Sequence, residues 1–292
     1  MHLETLRLYC NVIQRQNFSG GAADSGVTQS AASQAIRQLE EELGVILLDR
    51  SKRPFAITTE GEKFYKACRE LLEGFERIRD EIANDKRLIA GTVRVAAIYS
   101  VGLHDMGIQM ERFRTLLPRA RVRLECLHPE KVVRSVIEDA VDVGILSYPP
   151  ANRALNVIRL RDESMRFVSR SSHRLSRRKR VKAEDLAGEP FVAFDADLSI
   201  RKAIDRALRQ HNLIPNVVME FDNIESIKRA VSNGAGISIL PEAAIQKEVA
   251  IQDLASAALD LDDLIRPIAL IHRRQKHLSQ VVVRFIEMLQ TG

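Results

Sequence analysis

The chain lacks any apolar run approaching the roughly 18 residues that a membrane helix requires. Its best stretches, Val45 to Leu48 and Val95 to Tyr99, are strand-sized, so no membrane partner is expected. It begins Met-His-Leu-Glu-Thr-Leu, without the basic segment and apolar core of a secretory signal, which points to a cytoplasmic protein. Cysteine is scarce: Cys10, Cys68 and Cys126 are odd in number and far apart, with no CxxC pair and no histidine at metal-ligand spacing. They read as reduced core residues, and neither a disulfide framework nor a metal or cofactor is expected. A GxSxG elbow and an oxyanion motif are also missing. Ser100, His104 and Asp105 crowd the opening turns of one helix instead of converging from separate elements, so the chain is not expected to be an enzyme.

What is present is ordinary globular composition, 45 % hydrophobic and 28 % charged over 292 residues, enough for two or three domains with buried cores. Net charge is only +5, a mild excess that decides little about partners. Residues 1–59 balance at six basic and six acidic side chains, but Arg50, Lys52 and Arg53 fall together, and a local cluster is what phosphate contact requires. The most basic stretch, Arg170 to Lys182, carries no helical or aromatic pattern and reads as a solvated surface segment.

Leu3, Leu6, Tyr9, Cys10 and Ile13 recur at three- and four-residue steps, one stripe of an amphipathic helix. Ser19 is a plausible N-cap for a short second helix through Ala22 and Ala23, weakened by Gly20, Gly21 and Gly26. Thr28 is the next N-cap candidate. The helix it opens separates on a wheel, with Ala32, Ala35, Ile36, Leu39 and Leu43 on one side and Gln29, Ser30, Ser33, Gln34 and Arg37 on the other. Gln suits adenine, Arg suits guanine, and Ser suits either kind of partner, so the second side is chemically fit to read base edges. Glu40 and Glu41 lie near that face farther along and would repel phosphate, which leaves the first turns to approach DNA. Gly44 stops the helix, and Val45 to Arg50 with Phe55 to Thr58 read as two short strands around a Ser51-Lys52-Arg53-Pro54 tip. The pattern is a winged helix-turn-helix.

From Thr59 one long helix follows, with Gly61, Phe64, Cys68, Leu71, Phe75, Ile78 and Ile82 at alternating steps of three and four, a heptad seam that predicts a dimer with a second copy. After Asn84 to Gly91 the rhythm becomes α/β. Strands are expected at Thr92 to Ile98, Arg121 to Leu127 and Val141 to Leu146, with helices at Val101 to Leu117 and Glu130 to Ala140. The rhythm repeats from Phe191, through helices at Ser199 to His211 and Ile224 to Ser232, and closes with a strand at Pro267 to His272 and a helix from Leu278. Two similar halves predict a cleft for a small molecule.

These residues resemble the LysR-type transcriptional regulators over the whole chain. Leu3 to Ile13, Phe18-Ser19, Ala22-Ala23 and the run Thr28 to Gly44 resemble the family's DNA-binding signature, and Leu47 to Arg50 with Thr58 to Gly61 continue it. Asn233-Gly234-Ala235-Gly236-Ile237-Ser238-Ile239-Leu240-Pro241 resembles the segment before the last crossover. Two positions depart from the usual residues: Gly26 stands for a leucine, and Ser30 for a proline. The resemblance implies an α/β protein with an N-terminal winged helix-turn-helix (1–58), a long linker and dimerisation helix with hinge (59–90), and a two-lobed, periplasmic-binding-protein-like effector domain (91–292). Lobe I would cover about 91–163 and 267–292, and lobe II about 164–266. It implies a homo-oligomer, dimer or tetramer, on an interrupted inverted repeat of double-stranded DNA, acting with RNA polymerase under a small-molecule inducer. DNA contacts then fall to Thr28, Gln29, Ser30, Ser33, Gln34, Arg37, Arg50, Lys52 and Arg53, and inducer contacts to Ser100, Val101, His128, Ser147, Ser199 and Asp222. Asp195 and Asp197 lie close to the same mouth. A plain solute-binding protein is the competing reading, and the attached winged helix argues against it.

Overall fold

The computed structural model describes residues 2–52, 54–82, 89–261 and 264–291, in two compact units, Met1–Ile89 and Ala90–Gly292. The first holds helices α1 (Leu3–Arg15), α2 (Phe18–Asp24) and α3 (Gln29–Leu43), strands β1 (Leu48–Asp49) and β2 (Ala56–Ile57), and helix α4 (Thr59–Ile82). α1 buries Leu6, Tyr9 and Cys10 as its stripe predicts, with Leu8 and Val12 besides. The N-cap of α2 is Asn17, not Ser19: the Asn17 side chain accepts from the Gly20 N–H, and the helix starts one residue before Ser19. Gly21 permits α2 to lie on α1, since a Cβ there would stand 2.4 Å from the Val12 Cα. Gly26 sits at φ +69°, a left-handed turn that leucine adopts only with strain, which suits glycine to this position.

Thr28 caps α3 by accepting from the Ala31 N–H at 3.2 Å, and Gly44, at φ +67°, ends it. The two strands of the wing are shorter than expected, two residues each, paired antiparallel. α4 is continuous but belongs to the first unit, because its opening turns pack on α1. Tyr9 donates to the Gly61 carbonyl at 3.0 Å, its ring meets Phe64 edge-on at 5.4 Å, and Cys68 is buried beside Cys10 in the same core.

In the second unit a first group comprises β3 (Gly91–Ala97), α5 (Tyr99–His104), α6 (Met106–Leu116), β4 (Ala120–Cys126), α7 (Pro129–Ile137) and β5 (Val143–Ser147). A single helix was expected over Val101 to Leu117, but it breaks at Asp105 into α5 and α6. The long strand β6 (Leu155–Arg170) follows, a stretch the apolar rhythm does not reveal. Beyond it lie β7 (Arg180–Lys182), β8 (Pro190–Phe194), α8 (Ser199–Gln210), β9 (Asn216–Phe221), α9 (Ile224–Ser232), β10 (Ser238–Pro241), α10 (Gln246–Ala250) and β11 (Leu254–Asp260). The chain closes with β12 (Ile265–Arg273) and α11 (Gln280–Gln290).

Strand order is β4-β3-β5-β12-β6, parallel among the first three and antiparallel at β12. β6 then changes partners. Up to Ser164 it pairs with β12, and from Met165 onward with β10 and β11. One strand therefore serves both halves. The first half packs Val95, Phe113, Ile145 and Phe285 into its core, and the second packs Phe167, Val192, Ile204 and Ile227. The basic run is not the plain solvated loop expected: its arginines are exposed and Arg174, Arg178 and Arg180 pair with Glu189, Asp185 and Asp260, but Leu175 and Val181 are buried in the core and the run ends in β7.

A buried ion cluster ties the ends of the first half together. Asp142 accepts from the Arg94 backbone N–H at 2.7 Å, Arg94 Nη2 at 2.8 Å and Lys276 Nζ at 2.7 Å. Burial pushes this carboxyl upward, but the Arg94 and Lys276 cations outweigh it and hold the group far below the ordinary carboxylate range. A depressed folded value contributes stability that is present above the unfolded value, about pH 4, and is lost as pH falls below it. Asp142→Asn is expected to destabilise the second unit by about 3 kcal/mol at neutral pH. It should also flatten the loss of stability below about pH 4. Urea unfolding of both proteins at pH 7 and pH 3.5 reads this, and equal acid sensitivity would refute the role given to Asp142.

Candidate nucleic-acid interface and ligand cleft

In the first unit the buried side of α3 is Ala32, Ile36 and Leu39. The opposite side leaves Gln29, Ser30, Gln34 and Arg37 exposed, with Thr28 exposed at the cap and Ser33 half-buried. The helix start therefore presents hydroxyl, amide and guanidinium groups together. Ser30 Oγ lies 3.1 Å from Thr28 Oγ1, so both hydroxyls are pre-oriented. At the wing tip Lys52 is well exposed, its Nζ 3.9 Å from an Asp49 carboxylate oxygen, while Arg53 lies outside the described residues.

Two side chains stand differently from expectation. Glu40 does not face outward against phosphate. Its Oε1 accepts from the Leu47 and Leu48 N–H groups at 2.9 and 3.0 Å, and its Oε2 from Arg50 Nη2 at 2.9 Å. Arg50, assigned to DNA contact, is correspondingly engaged inside the domain: its guanidinium lies 5.5 Å from the Phe18 ring, which meets Phe55 edge-on at 5.3 Å. The pair clamps the wing to α2 and α3, a half-buried carboxylate and a stacked guanidinium satisfying each other.

The heptad seam of α4 divides in two. Cys68 is buried and Phe64 half-buried in the domain's own core, so these two assignments to a dimer seam are corrected: the opening turns of α4 need them against α1. Leu71, Phe75 and Ile78 are exposed at 51 %, 45 % and 58 %. The side chain of Ile82 lies outside the described residues.

In the second unit a cleft with a cavity of about 50 Å³, opening to solvent, is lined by Ser100, Ser147, Ser199 and Asp222 among the expected residues. Val101 is not on its wall. Its side chain is buried and its N–H donates to the Ile98 carbonyl at 3.0 Å, because it lies in the first turn of α5. His128 is also off the wall, between the lining residues Leu127 and Pro129, and faces Asp197 at 3.7 Å. Burial, followed by the neighbouring Asp222 and Asp197 charges, raises the Asp195 carboxyl above its usual range.

The residue the sequence reading missed is Arg266. It lines the cavity yet is only 3 % exposed, and its Nη2 donates to Ser100 Oγ at 2.6 Å and its Nη1 to Glu163 Oε2 at 3.1 Å. Arg266 and Glu163 are register partners across β12 and β6, and Glu163 also accepts from Arg161, which pairs with Asp105. Beside them Tyr148 donates to the Ile265 carbonyl at 2.8 Å, and burial pushes its phenol up to about 12, so it remains a donor at neutral pH. The overlooked signal was an arginine inside the apolar run Ile265 to Ile271, where an unpaired charge would be costly. Among the described residues no cluster of His, Cys, Asp and Glu could hold a metal ion, and no helix is long and apolar enough to cross a membrane.

Comparison with known proteins matches both units. Residues 3–62 fit the family model of the bacterial regulatory helix-turn-helix protein, lysR family, and residues 86–292 fit the LysR substrate binding domain. The chain is 28 % identical over 286 residues to the HTH-type transcriptional regulator YeiE of Escherichia coli K12, named there as uncharacterized, covering 98 % of this chain and 96 % of that one. Among solved structures it is similar to a full-length OxyR variant from Pseudomonas aeruginosa (TM-score 0.75, 23 % identity, 100 % and 94 % covered). It is also similar to full-length CbnR complexed with its target DNA (TM-score 0.62, 22 % identity, 100 % and 99 % covered). The two models together cover residues 3–62 and 86–292, and the chain belongs to the LysR family of bacterial transcriptional regulators.

Proposed function

We propose that α3 enters the major groove by its first turns and that Gln29, Ser30, Gln34 and Arg37 read base edges there, with Thr28, Ser33 and Lys52 positioning the backbone. The observation that carries this is the exposed polar start of α3, followed by a Glu40 turned inward, so that no carboxylate at position 40 opposes the phosphates. CbnR, similar over its whole length, is a protein seen on its target DNA. A second copy docks on Leu71, Phe75 and Ile78, an apolar stripe at heptad spacing on a helix otherwise rich in charge. Two recognition helices then meet an interrupted inverted repeat. A small-molecule inducer in the cleft favours one arrangement of the oligomer over another, and with RNA polymerase this sets transcription; only such differential binding shifts the balance.

A footprint on the DNA upstream of the protein's own gene, at two salt concentrations, tests the reading. A symmetric protected site is expected; none at low salt, there or on random fragments, refutes it. Arg37→Ala is expected to weaken specific binding by about 1–3 kcal/mol and relax preference at one base pair of each half-site. Lys52→Ala should weaken all sequences alike and lower the salt slope by about one. A footprint unchanged by Arg37→Ala removes that residue from the interface. Leu71→Glu places a charge in the stripe and is expected to shift the protein toward monomer in sedimentation velocity; an intact oligomer would assign the contact elsewhere.

A further inference from the structure

The first unit holds two nucleophilic side chains that neither base reading nor the exposed stripe of α4 uses. Cys10 on α1 and Cys68 on α4 are free thiols, 5 % and 3 % exposed, in one core. Contacts on either side of them hold the two helices together: the Tyr9 hydroxyl donates to the Gly61 carbonyl at 3.0 Å, and Gln14 Nε2 donates to the Tyr65 hydroxyl oxygen at 3.3 Å. A structural cysteine is ordinarily a small apolar group surrounded by other apolar groups, and inert. These two sulfurs meet each other instead.

Their meeting divides the labour between them. The contact with Cys68, followed by burial, pushes the Cys10 thiol up, and the same contact draws Cys68 down. Cys10 is thus the donor of the pair, and Cys68 gains thiolate character. The Arg69 and Arg7 guanidiniums stand near enough to favour the thiolate at Cys10 as well, the electropositive setting in which cysteine becomes reactive. Burial, followed by both sulfurs, pushes the Tyr9 phenol up, which places its ring beside the pair as a neutral group. Among the described residues no third His, Cys, Asp or Glu joins them in a group that could hold a metal ion, so the chemistry this cluster offers is that of a dithiol.

We infer that Cys10 and Cys68 are a modification site, which hydrogen peroxide converts to an intramolecular disulfide between α1 and α4. The Cys68 thiolate attacks one peroxide oxygen and the O–O bond breaks. The departing hydroxide takes up the proton that Cys68 had released, and a sulfenic acid is left at Cys68. The Cys10 sulfur then attacks the Cys68 sulfur, the S–S bond forms, and the Cys10 proton leaves with the hydroxyl group as water. Two thiols lose two electrons, and one peroxide is reduced to two waters. Peroxide is close to water in size, which suits it to a buried pair. The bond joins α1 to α4 three residues before Leu71, where the exposed stripe begins, so oxidation fixes the base-reading part of the unit to the helix that carries that stripe. On the DNA reading above, the oxidation state then regulates binding.

The test treats the full-length protein with hydrogen peroxide, unfolds it, counts thiols and maps peptides by mass without reduction. The 3 thiols are expected to fall to one, with the Cys10 and Cys68 peptides joined, and dithiothreitol should restore all of them. The Tm of the oxidised protein should rise, because a cross-link constrains the unfolded chain. Retention of all the thiols, or oxidation confined to Cys126, overturns the site. So does a fall in Tm without joined peptides, which marks oxidative damage to single cysteines.

Cys126→Ser should form the bond as the unaltered protein does, and Cys68→Ala should lose the response; if Cys68→Ala does not fold, the peptide map of Cys126→Ser decides alone. Regulation is read separately, as affinity for the DNA upstream of the protein's own gene. Oxidised and reduced protein are expected to differ about fivefold or more, reversibly with dithiothreitol. A disulfide that forms while affinity stays the same sustains the site and defeats the regulation. Failure of both forms to bind any DNA defeats the DNA reading, and the thiol count still judges the disulfide.

Discussion

The second unit depends on the pairing of β6 with β12. β6 gives its first part to β12 and its last part to β10 and β11, so both halves share one strand, and β12 returns the chain beside the point where β6 changes partners. Arg266 and Glu163 face each other across that pairing, both buried. A buried ion pair is weak as a source of stability, since desolvation offsets attraction, but breaking it is severe. Its position therefore fixes where charge must lie. From there Ser100 is held by Arg266, and Asp105, at the break between α5 and α6, is held through Arg161. The cavity wall, the crossover and the helix break form one hydrogen-bonded set.

The first unit uses a carboxylate in a comparable way. Glu40 sits on the recognition helix, yet its oxygens hold the start of the wing and the Arg50 guanidinium. The same contact turns a negative charge away from the exposed polar side of α3 and fixes the wing against α2 and α3. Arg50 serves as a structural link within the domain, and Lys52 stands as an exposed cation of the described wing tip.

α4 shows how one periodic stripe can serve two purposes. Its early positions, Phe64 and Cys68, are needed by α1, whereas Leu71, Phe75 and Ile78 extend past that core and stay exposed. A wheel diagram gives all of them one face, because it knows the angle around the axis and not where the neighbouring helix ends.

Local chemistry in the chain was sufficient for the helices of the first unit, the Thr28 cap, the Gly44 stop and the polar face of α3. Each of these depends on residues within a few positions, so propensity and periodicity carry them. The α/β rhythm was legible for the same reason, whereas the cavity-lining residues Ser100, Ser147, Ser199 and Asp222 came from the family resemblance, which also offered Val101 and His128, both off the wall. What only the tertiary structure decided lies between residues distant in sequence. The engagement of Glu40 and Arg50, the division of the α4 stripe, the partner exchange along β6, and above all the placement of Arg266 beside Ser100, 166 residues away, are of this kind. Sequence pattern fixes the angle at which a side chain leaves its own element; which charge it meets is set by how the elements pack.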